Sequence, residues 1–276
     1  MELLKIDLHK ILRSRIKGVK GQLIPGFLIS GLERIVHQRE LNEVLERTYP
    51  SEGTAFAEGC YDYFGLAIDA EGLDGIPEGR YVFASNHPLG GLDGIGLVKI
   101  LGRRYGDDGV RVVVNDMLMN VEPLRNVFLP VNKYGSQARA AMRGLNETYA
   151  SDRQIVMFPA GLVSRLGADG RIRDLQWQKS FVTKAIESGR RIVPVTFIGL
   201  NRRRFYRLAR LRKKLRIGFN IEQIFLPAEL CAARGNKYRV IFGKPIDPAR
   251  LAASGMTHQQ IADFIKEKVN ASLPED

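Results

Sequence analysis

Residues 80–94, RYVFASNHPLGGLDG, join a short apolar run to the beginning of a helical pattern. The run at 80–85 is typical of a buried strand, and apolar residues recur at helical spacing over about 92–104. Glycines in the connection permit tight turns and close approach to the backbone. Such a strand-to-helix junction is where α/β folds place their sites. The stretch therefore predicts an α/β fold with a functional site at residues 85–94.

The chain beyond this junction continues to alternate short apolar runs with helical patterns, which is typical of an α/β domain. Further strands are predicted at 111–114, 127–131, 154–158, 192–198 and 237–242. Further helices are predicted at about 136–150, 177–188, 202–215 and 257–271. We expect a central, mostly parallel sheet flanked by helices. We expect this α/β domain to occupy residues 51–276.

Residues 1–50 predict an N-terminal helical element that associates with a membrane. Apolar residues recur at helical spacing from Leu3 to Ile16, and residues 1–20 hold six bases and two acids. Pro25-Gly26 breaks the pattern, and a second helical pattern follows through residues 27–45. A basic amphipathic helix can lie in a membrane interface. The alternative is a helix packed on the domain, since amphipathicity fits both.

Composition limits the class of protein. The 276 residues are 45% hydrophobic, so a sizeable core can be buried. Neither an uninterrupted apolar run of about 18 residues nor a secretory signal occurs, so any membrane attachment is expected to be peripheral. The two cysteines, Cys60 and Cys231, are far apart, which favours a reducing compartment. We therefore expect the protein at the cytoplasmic face of the inner (plasma) membrane.

The net charge of +12 indicates an anionic partner, and much of the charge is local. Residues 201–216, NRRRFYRLARLRKKLR, hold nine Lys and Arg and no acid. One interpretation is a solvated helix that Phe205, Leu208, Leu211 and Leu215 pack against the protein, and the other is an interface helix. The basic faces could meet anionic lipid, where each base contributes about 1 kcal/mol. They could also dock an acidic acyl carrier protein or form a solvated surface.

His87 and Asp93 are the candidate catalytic pair. A carboxylate bonded to one imidazole nitrogen fixes the tautomer and raises the basicity of the other nitrogen. That nitrogen can then take a proton from a hydroxyl nucleophile. The alternative is that His87 or Asp93 caps the next helix, a role that Asp favours and that is compatible with orienting the histidine.

Other classes of function fit less well. The basic run has few interleaved aromatics and the chain has no recognised nucleic-acid motif, so no nucleic-acid partner is expected. The segment Gly161-Leu162-Val163-Ser164 lacks the Gly-x-Ser-x-Gly pattern of serine hydrolases. No His, Cys or Asp cluster has metal-ligand spacing, so neither a metal nor a cofactor is expected.

Four blocks of the sequence resemble the glycerolipid (lysophospholipid) acyltransferase family. Residues 86–93 are similar to its first motif, Asn-His, four residues, then Asp. Residues 124–133 (LRNVFLPVNK), 158–165 (FPAGLVSR) and 192–196 (IVPVT) resemble its later blocks, in the family's order. The resemblance implies that a lipid hydroxyl attacks the thioester of acyl carrier protein or coenzyme A, with His87 as general base and Asp93 as its orienter. It also implies a set of acceptor-site residues. These are Asn86, Asn132, Lys133, Gly161, Ser164 and Arg165.

Within this set, Asn86 suits fixing the loop better than touching the substrate, and Lys133 could equally be plain surface charge. The sequence also departs from the family pattern. Five residues separate His87 from Asp93, and Ala160 and Val163 stand where the family has Glu and Arg. Losing charge-assisted contacts weakens binding of a phosphate acceptor, although Arg165 could substitute. The departures favour a lyso-lipid of an N-acylated amino acid, such as lyso-ornithine or lyso-glycine lipid. Acylation of 1-acylglycerol-3-phosphate in phospholipid synthesis is the alternative.

Overall fold

The computed structural model describes residues 3–9, 26–131, 137–218 and 220–274. Its helices are α1 (Gly26–Ile35), α2 (Gln38–Thr48), α3 (Gly53–Tyr63), α4 (Gly91–Tyr105), α5 (Gln137–Ala150), α6 (Ser180–Glu187), α7 (Arg203–Lys214), α8 (Leu226–Ala232), α9 (Pro248–Ala253) and α10 (His258–Asn270). Its strands are β1 (Ala67–Glu71), β2 (Tyr81–Ser85), β3 (Val110–Asn115), β4 (Phe128–Val131), β5 (Gln154–Met157), β6 (Arg165–Leu166), β7 (Ile172–Arg173), β8 (Arg191–Ile198) and β9 (Lys237–Phe242). Short 3₁₀ helices occupy Asp116–Asn120, Glu122–Leu124 and Ile221–Phe225.

The central sheet has the strand order β1-β9-β8-β2-β5-β3-β4. Neighbouring strands are parallel except β8 and β9, which are antiparallel. The predicted mostly parallel sheet is therefore confirmed. Each predicted strand is present within one residue of its expected bounds, and each helix predicted after residue 90 is present within three. A separate small hairpin pairs β6 with β7.

Strand β1 and the helices α3, α8 and α9 were not predicted. The strand, AIDAE, is half-buried only at Ile68 and exposed at its other positions, so it has no apolar alternation to detect. It lies at the edge of the sheet and is held by parallel backbone pairing with β9. Its place depends on a partner about 170 residues further along the chain, which local periodicity cannot reveal.

The central strand β2 is buried along its whole length and packs on both faces. Phe83 belongs to the core on the side of α3 and α4, where it meets residues such as Leu97. Val82 and Ala84 belong to the core on the side of α6 and α10, with Phe181. This period-2 alternation between two apolar layers fixes the register of β2. It thereby fixes where the chain leaves the sheet, immediately before His87.

The N-terminal segment differs from its prediction. Residues 3–7 are not helical, so the helix expected from Leu3 onward is wrong over that stretch. The segment instead lies along α2: the Ile6 N–H donates to Asn42 Oδ1 (2.7 Å), and Asn42 Nδ2 donates to the Ile6 carbonyl (2.9 Å). The rest of the predicted first helix, at 10–25, falls outside the described residues.

The second helical pattern of this region is confirmed as α1 and α2. The two helices are separated at His37, which adopts a left-handed conformation with φ 55°. Among the helices that the structure describes, none is long and apolar enough to cross a membrane. The predicted domain boundary near residue 50 falls between α2 and α3, and Val44 of α2 shares the core of the α/β domain. Both the membrane role of residues 1–50 and the two-part division stay predictions.

Two helical glycines provide a test of the packing beside the site. A methyl group on Gly96 of α4 would overlap the Tyr61 hydroxyl and approach Ile68 Cδ1 within 2.9 Å. On Gly144 of α5 the nearest atom, Leu129 Cδ1, would lie 3.8 Å away. We expect Gly96→Ala to destabilise the protein by about 1–3 kcal/mol through overpacking. Gly144→Ala should be neutral or stabilise it by up to about 1 kcal/mol through helix propensity. Urea unfolding of both variants measures the difference, and equal midpoints would contradict the packing described.

Candidate active site

The carboxyl ends of β2, β5 and β8 lie side by side at one edge of the sheet. The loop after β2 carries His87, and the loop after β5 carries residues 158–165. Asn86 fixes the first loop to β8, because its Nδ2 donates to the Phe197 carbonyl (3.0 Å) and the Phe197 N–H donates to its Oδ1 (2.7 Å). Both ends of this buried amide are thus engaged by backbone. The geometry supports the loop-fixing role of Asn86, and its contact with substrate stays a prediction.

His87 and Asp93 are brought together. His87 Nδ1 lies 3.1 Å from Asp93 Oδ2, and the carboxylate is fully buried in the first turn of α4. The same oxygen accepts the N–H groups of Leu89 (2.9 Å) and Gly90 (3.2 Å). Gly90 absorbs the additional residue between the pair, since its φ of 84° is a conformation that other residues rarely adopt. The five-residue spacing is therefore compatible with the pairing.

The imidazole of His87 is sheltered but reachable. Its ring lies against that of Phe158, with centroids 4.1 Å apart and planes tilted by 31°. The side chain is 18% exposed, and Nε2 is on the far side of the ring from the Asp93 contact. Burial alone would lower the pKa of His87, but the charge and hydrogen bond of Asp93, helped by the charge of Asp174, raise it above its ordinary value. The ring therefore has one nitrogen oriented by a carboxylate and one available to accept a proton.

Asp174 holds the backbone of the same histidine. Its Oδ1 accepts the His87 N–H (3.1 Å) and the Ser164 hydroxyl (2.6 Å), and its Oδ2 accepts the Trp177 indole N–H (2.9 Å). Burial raises the pKa of this carboxyl, while the three donors oppose that rise. The Asp174 carbonyl in turn accepts Lys266 Nζ (3.1 Å). Asp174 thus joins the loops that carry His87 and Ser164 through its carboxyl group, and α10 through its backbone carbonyl.

Ser164 and Gly161 of the predicted acceptor set are placed differently. Ser164 is buried, and besides its bond to Asp174 its N–H donates to the His87 carbonyl (2.8 Å). Ser164 is therefore part of the hydrogen-bond network that holds the backbone of His87. Gly161 is exposed, has a φ of 67°, and has open space where a side chain would point. Contact of either residue with an acceptor stays a prediction.

Arg165 lies one residue beyond Ser164 in a buried group of charges. Its guanidinium donates to Glu222 Oε1 (2.7 Å) and to the Val163 carbonyl (2.7 Å). The Arg212 Nε lies 2.9 Å from the other Glu222 oxygen, an ion pair whose angle is not that of a hydrogen bond. Glu222 is fully buried and both arginines are mostly buried. Two guanidinium groups share one carboxylate, so the cluster carries one uncompensated positive charge.

The two residues that depart from the family pattern, Ala160 and Val163, lie in apolar surroundings. Val163 is buried with Phe205 and Tyr206 of α7. Ala160 packs at the margin of the core that contains Trp177. The predicted acceptor residues Asn132 and Lys133 lie outside the described residues, so their roles stay predictions.

Asp174 and Glu222 are the residues of this site that the sequence did not reveal. Neither lies in a block with recognisable spacing. Asp174 did leave one signal, because the single tryptophan of the chain, Trp177, follows it by three residues. A buried indole N–H generally finds an acceptor nearby. Glu222 left none, since its partners are 57 and 10 positions away and no local pattern joins them.

Comparison with known proteins identifies the family of the chain. A family model described as Acyltransferase matches residues 12–272. The lyso-glycine lipid O-acyltransferase of Phocaeicola vulgatus is 43% identical over 265 residues, covering 96% of this chain and 94% of that protein. The protein of the same name from Bacteroides thetaiotaomicron is 42% identical over 265 residues, covering 96% of each chain.

Among solved structures, the 1-acyl-sn-glycerophosphate (LPA) acyltransferase PlsC from Thermotoga maritima is similar at 17% identity with a TM-score of 0.48. The similarity covers 89% of this chain and 90% of that one. The assignment of the chain rests on the family model and on the two relatives, each of which matches nearly the whole sequence. The chain is an enzyme that belongs to the acyltransferase family.

Proposed function

We propose that the protein is an O-acyltransferase that moves a fatty acyl group onto the hydroxyl of a lyso-lipid built on N-acylated glycine. The observation that carries the chemistry is the 3.1 Å contact between His87 Nδ1 and the buried carboxylate of Asp93. The acceptor is supported by the two relatives named lyso-glycine lipid O-acyltransferase, which are 42–43% identical to this chain. No nucleophile from the protein is needed.

In the proposed reaction, Nε2 of His87 takes the proton of the lipid hydroxyl as its oxygen attacks the acyl thioester carbonyl. A carbon–oxygen bond forms and a tetrahedral oxyanion results. Its collapse breaks the carbon–sulfur bond, and the imidazolium returns the proton to the departing thiolate. Asp93 keeps Nδ1 protonated and stabilises the imidazolium that exists between the two transfers. The products are the acylated lipid and the free thiol of acyl carrier protein or coenzyme A.

The proposed place for the acceptor's carboxylate is beside Arg165. Arg165 follows Ser164, whose N–H donates to the His87 carbonyl, and the charge of the guanidinium acts on the His87 imidazole. The cluster of Arg165, Arg212 and Glu222 carries a surplus positive charge that suits one carboxylate, and guanidinium groups match carboxylates in geometry. Val163, buried under α7, offers no second charge of the kind a phosphate monoester would favour.

The lipid acceptor also implies where the protein works. We propose peripheral attachment to the cytoplasmic face of the inner membrane, with an anionic membrane surface as partner. The net charge of +12 and the exposed apolar residues of α1 support this, because Phe27 and Leu28 are mostly exposed. Acyl carrier protein and coenzyme A are both retained as the thiol carrier of the acyl group.

The catalytic pair gives the first prediction of this proposal. His87→Ala should lower kcat/KM by about 10²–10⁴-fold, the usual contribution of a positioned general base. Because the base must be neutral, activity should rise as the pH passes upward through the pKa of His87, at a higher pH than for an ordinary histidine. Asp93→Asn should move this rise to lower pH and reduce kcat. Acyl transfer measured against pH checks both, with thermal unfolding as the folding control. Near-normal transfer by His87→Ala would remove the mechanism.

Asp174 gives a second prediction, as a positioning residue for His87. Asp174→Asn keeps an acceptor for the His87 N–H but removes the negative charge, so the acidic limb of the kcat/KM profile should move to lower pH. The charges that face the imidazole are those of Asp93, Asp174 and Arg165. Ser164→Ala is the matched control, because it removes one hydrogen bond to Asp174 and leaves the charge. Identical limbs in wild type and Asp174→Asn would show that Asp174 does not act on the base.

The acceptor assignment gives a third prediction, with Arg165→Lys as the variant. Lysine keeps the charge beside buried Glu222 but loses the fork that fits a carboxylate, so KM for lyso-glycine lipid should rise about tenfold or more. The methyl ester of lyso-glycine lipid lacks the carboxylate, so it tests the same contact by a change in the acceptor. Wild type should use the ester poorly, and Arg165→Lys should discriminate less between acid and ester. If wild type uses both equally, the carboxylate does not bind there.

A further inference from the structure

Helix α7 presents two unlike faces. Phe205, Tyr206 and Ala209 are buried, and they form the inner face that packs on the protein. Arg207 and Leu211 occur one helical turn apart on the opposite face and are exposed. The interpretation in which Leu211 and Leu215 pack against the protein is wrong, since both are exposed. Tyr206 and Ala209 take that place, so the inner face is centred about a third of a turn from the expected one.

The inner face of α7 is tied to the catalytic loop. The Tyr206 hydroxyl donates to the carbonyl of Pro88 (3.2 Å), the residue after the histidine. Asn201, two residues before the helix begins, donates from Nδ2 to the same carbonyl (3.2 Å) and from its N–H to the Tyr206 hydroxyl (3.0 Å). The position of α7 and that of the His87 loop are therefore fixed relative to each other.

The cations of residues 201–216 divide into two groups. Arg202 and Arg204 pair with Glu229, and Arg212 pairs with Glu222. The other six are exposed and lie beyond ion-pair distance of any carboxylate in the described part of the chain. These six are Arg203, Arg207, Arg210, Lys213, Lys214 and Arg216. The exposed positive charge of α7 is therefore not neutralised by acidic side chains of the described part of the chain.

Apolar side chains stand exposed among these cations. Leu211 is 52% exposed and Leu215 is 61% exposed, and Ile217 is also on the surface. Leu215 is one helical turn beyond Leu211, so the two leucines share the outer face with Arg207 and Lys214. Leucines left in water cost free energy that burial in a partner would recover. The surface formed by the leucines and the six cations is called the α7 surface below.

We propose that the α7 surface docks on an anionic lipid bilayer, with Leu211, Leu215 and Ile217 inserted below the headgroups. The inference rests on the proposed function, since α7 is hydrogen-bonded to the His87 loop and its docking would hold that loop close to the bilayer that contains a lyso-lipid acceptor. A bilayer accommodates both parts of this surface, because cations stay at the phosphate level while apolar side chains reach the acyl chains. An acidic carrier protein would match the cations but offers charged groups to the exposed leucines.

Sedimentation of the full chain with vesicles tests this docking. Wild type should bind phosphatidylglycerol-containing vesicles and bind pure phosphatidylcholine vesicles far more weakly. Leu211→Ser/Leu215→Ser keeps every charge and should weaken binding on the order of tenfold per leucine. The matched control is Leu118→Ser/Met142→Ser, which removes two exposed apolar side chains elsewhere. Unchanged vesicle binding by the Leu211/Leu215 variant, or equal loss in the control, would overturn the proposal.

Two further measurements separate the possible failures. With a short-chain, water-soluble acceptor and no vesicles, the Leu211/Leu215 variant should transfer acyl groups as wild type does, and only transfer to vesicle-embedded acceptor should fall. If wild type transfers acyl groups to neither acceptor, the proposed function is refuted. Sedimentation would still report on docking in that case. If the variant instead loses affinity for acyl carrier protein and keeps that for vesicles, the α7 surface is a carrier site and the membrane proposal is wrong.

Discussion

The buried carboxylate of Asp93 is the constraint on which the site depends. A fully buried charge is costly unless it is paired and hydrogen-bonded. Here the donors are the N–H groups of Leu89 and Gly90 and the imidazole of His87, and the carboxylate lies in the first turn of α4, where the helix dipole favours an anion. The bonds that satisfy this charge are the same bonds that shape the loop and orient the histidine. Stability of the loop and orientation of the imidazole are therefore one requirement.

That requirement is reinforced from three other parts of the fold. Asn86 holds the start of the loop to β8, Asp174 accepts the N–H of His87, and Tyr206 of α7 donates to the carbonyl of Pro88. The last two contacts use backbone groups of the turn itself, and buried backbone groups need such partners. The histidine is consequently positioned by residues from separate elements. Such support keeps a base within the small displacement that proton transfer tolerates.

Sequence reasoning succeeded where the information is local. Apolar runs such as 192–198 marked the buried strands, and the spacing around His87 and Asp93 marked a loop able to bring them together. It failed where partners are distant. The edge strand β1 follows from pairing with β9, and Asp174 gains its role from contacts with two other segments. In α7, leucines at helical spacing indicated a helix correctly but did not determine which face is buried, because a tyrosine and an alanine pack there instead.

Val163 connects the loop that carries Arg165, the proposed acceptor residue, to α7. Val163 is buried against Phe205 and Tyr206, so a charged side chain there would be forced into the packing that seats α7. The positive charge lies instead at Arg165, which is held by Glu222, and Glu222 also binds Arg212 of α7. One substitution relative to the family pattern therefore has two consequences. The charge that the family pattern has at this position is absent, and α7 packs directly on the loop that carries Arg165. Under the proposed function, recognition of the acceptor's head group and the pose of the protein on the bilayer depend on the same contacts.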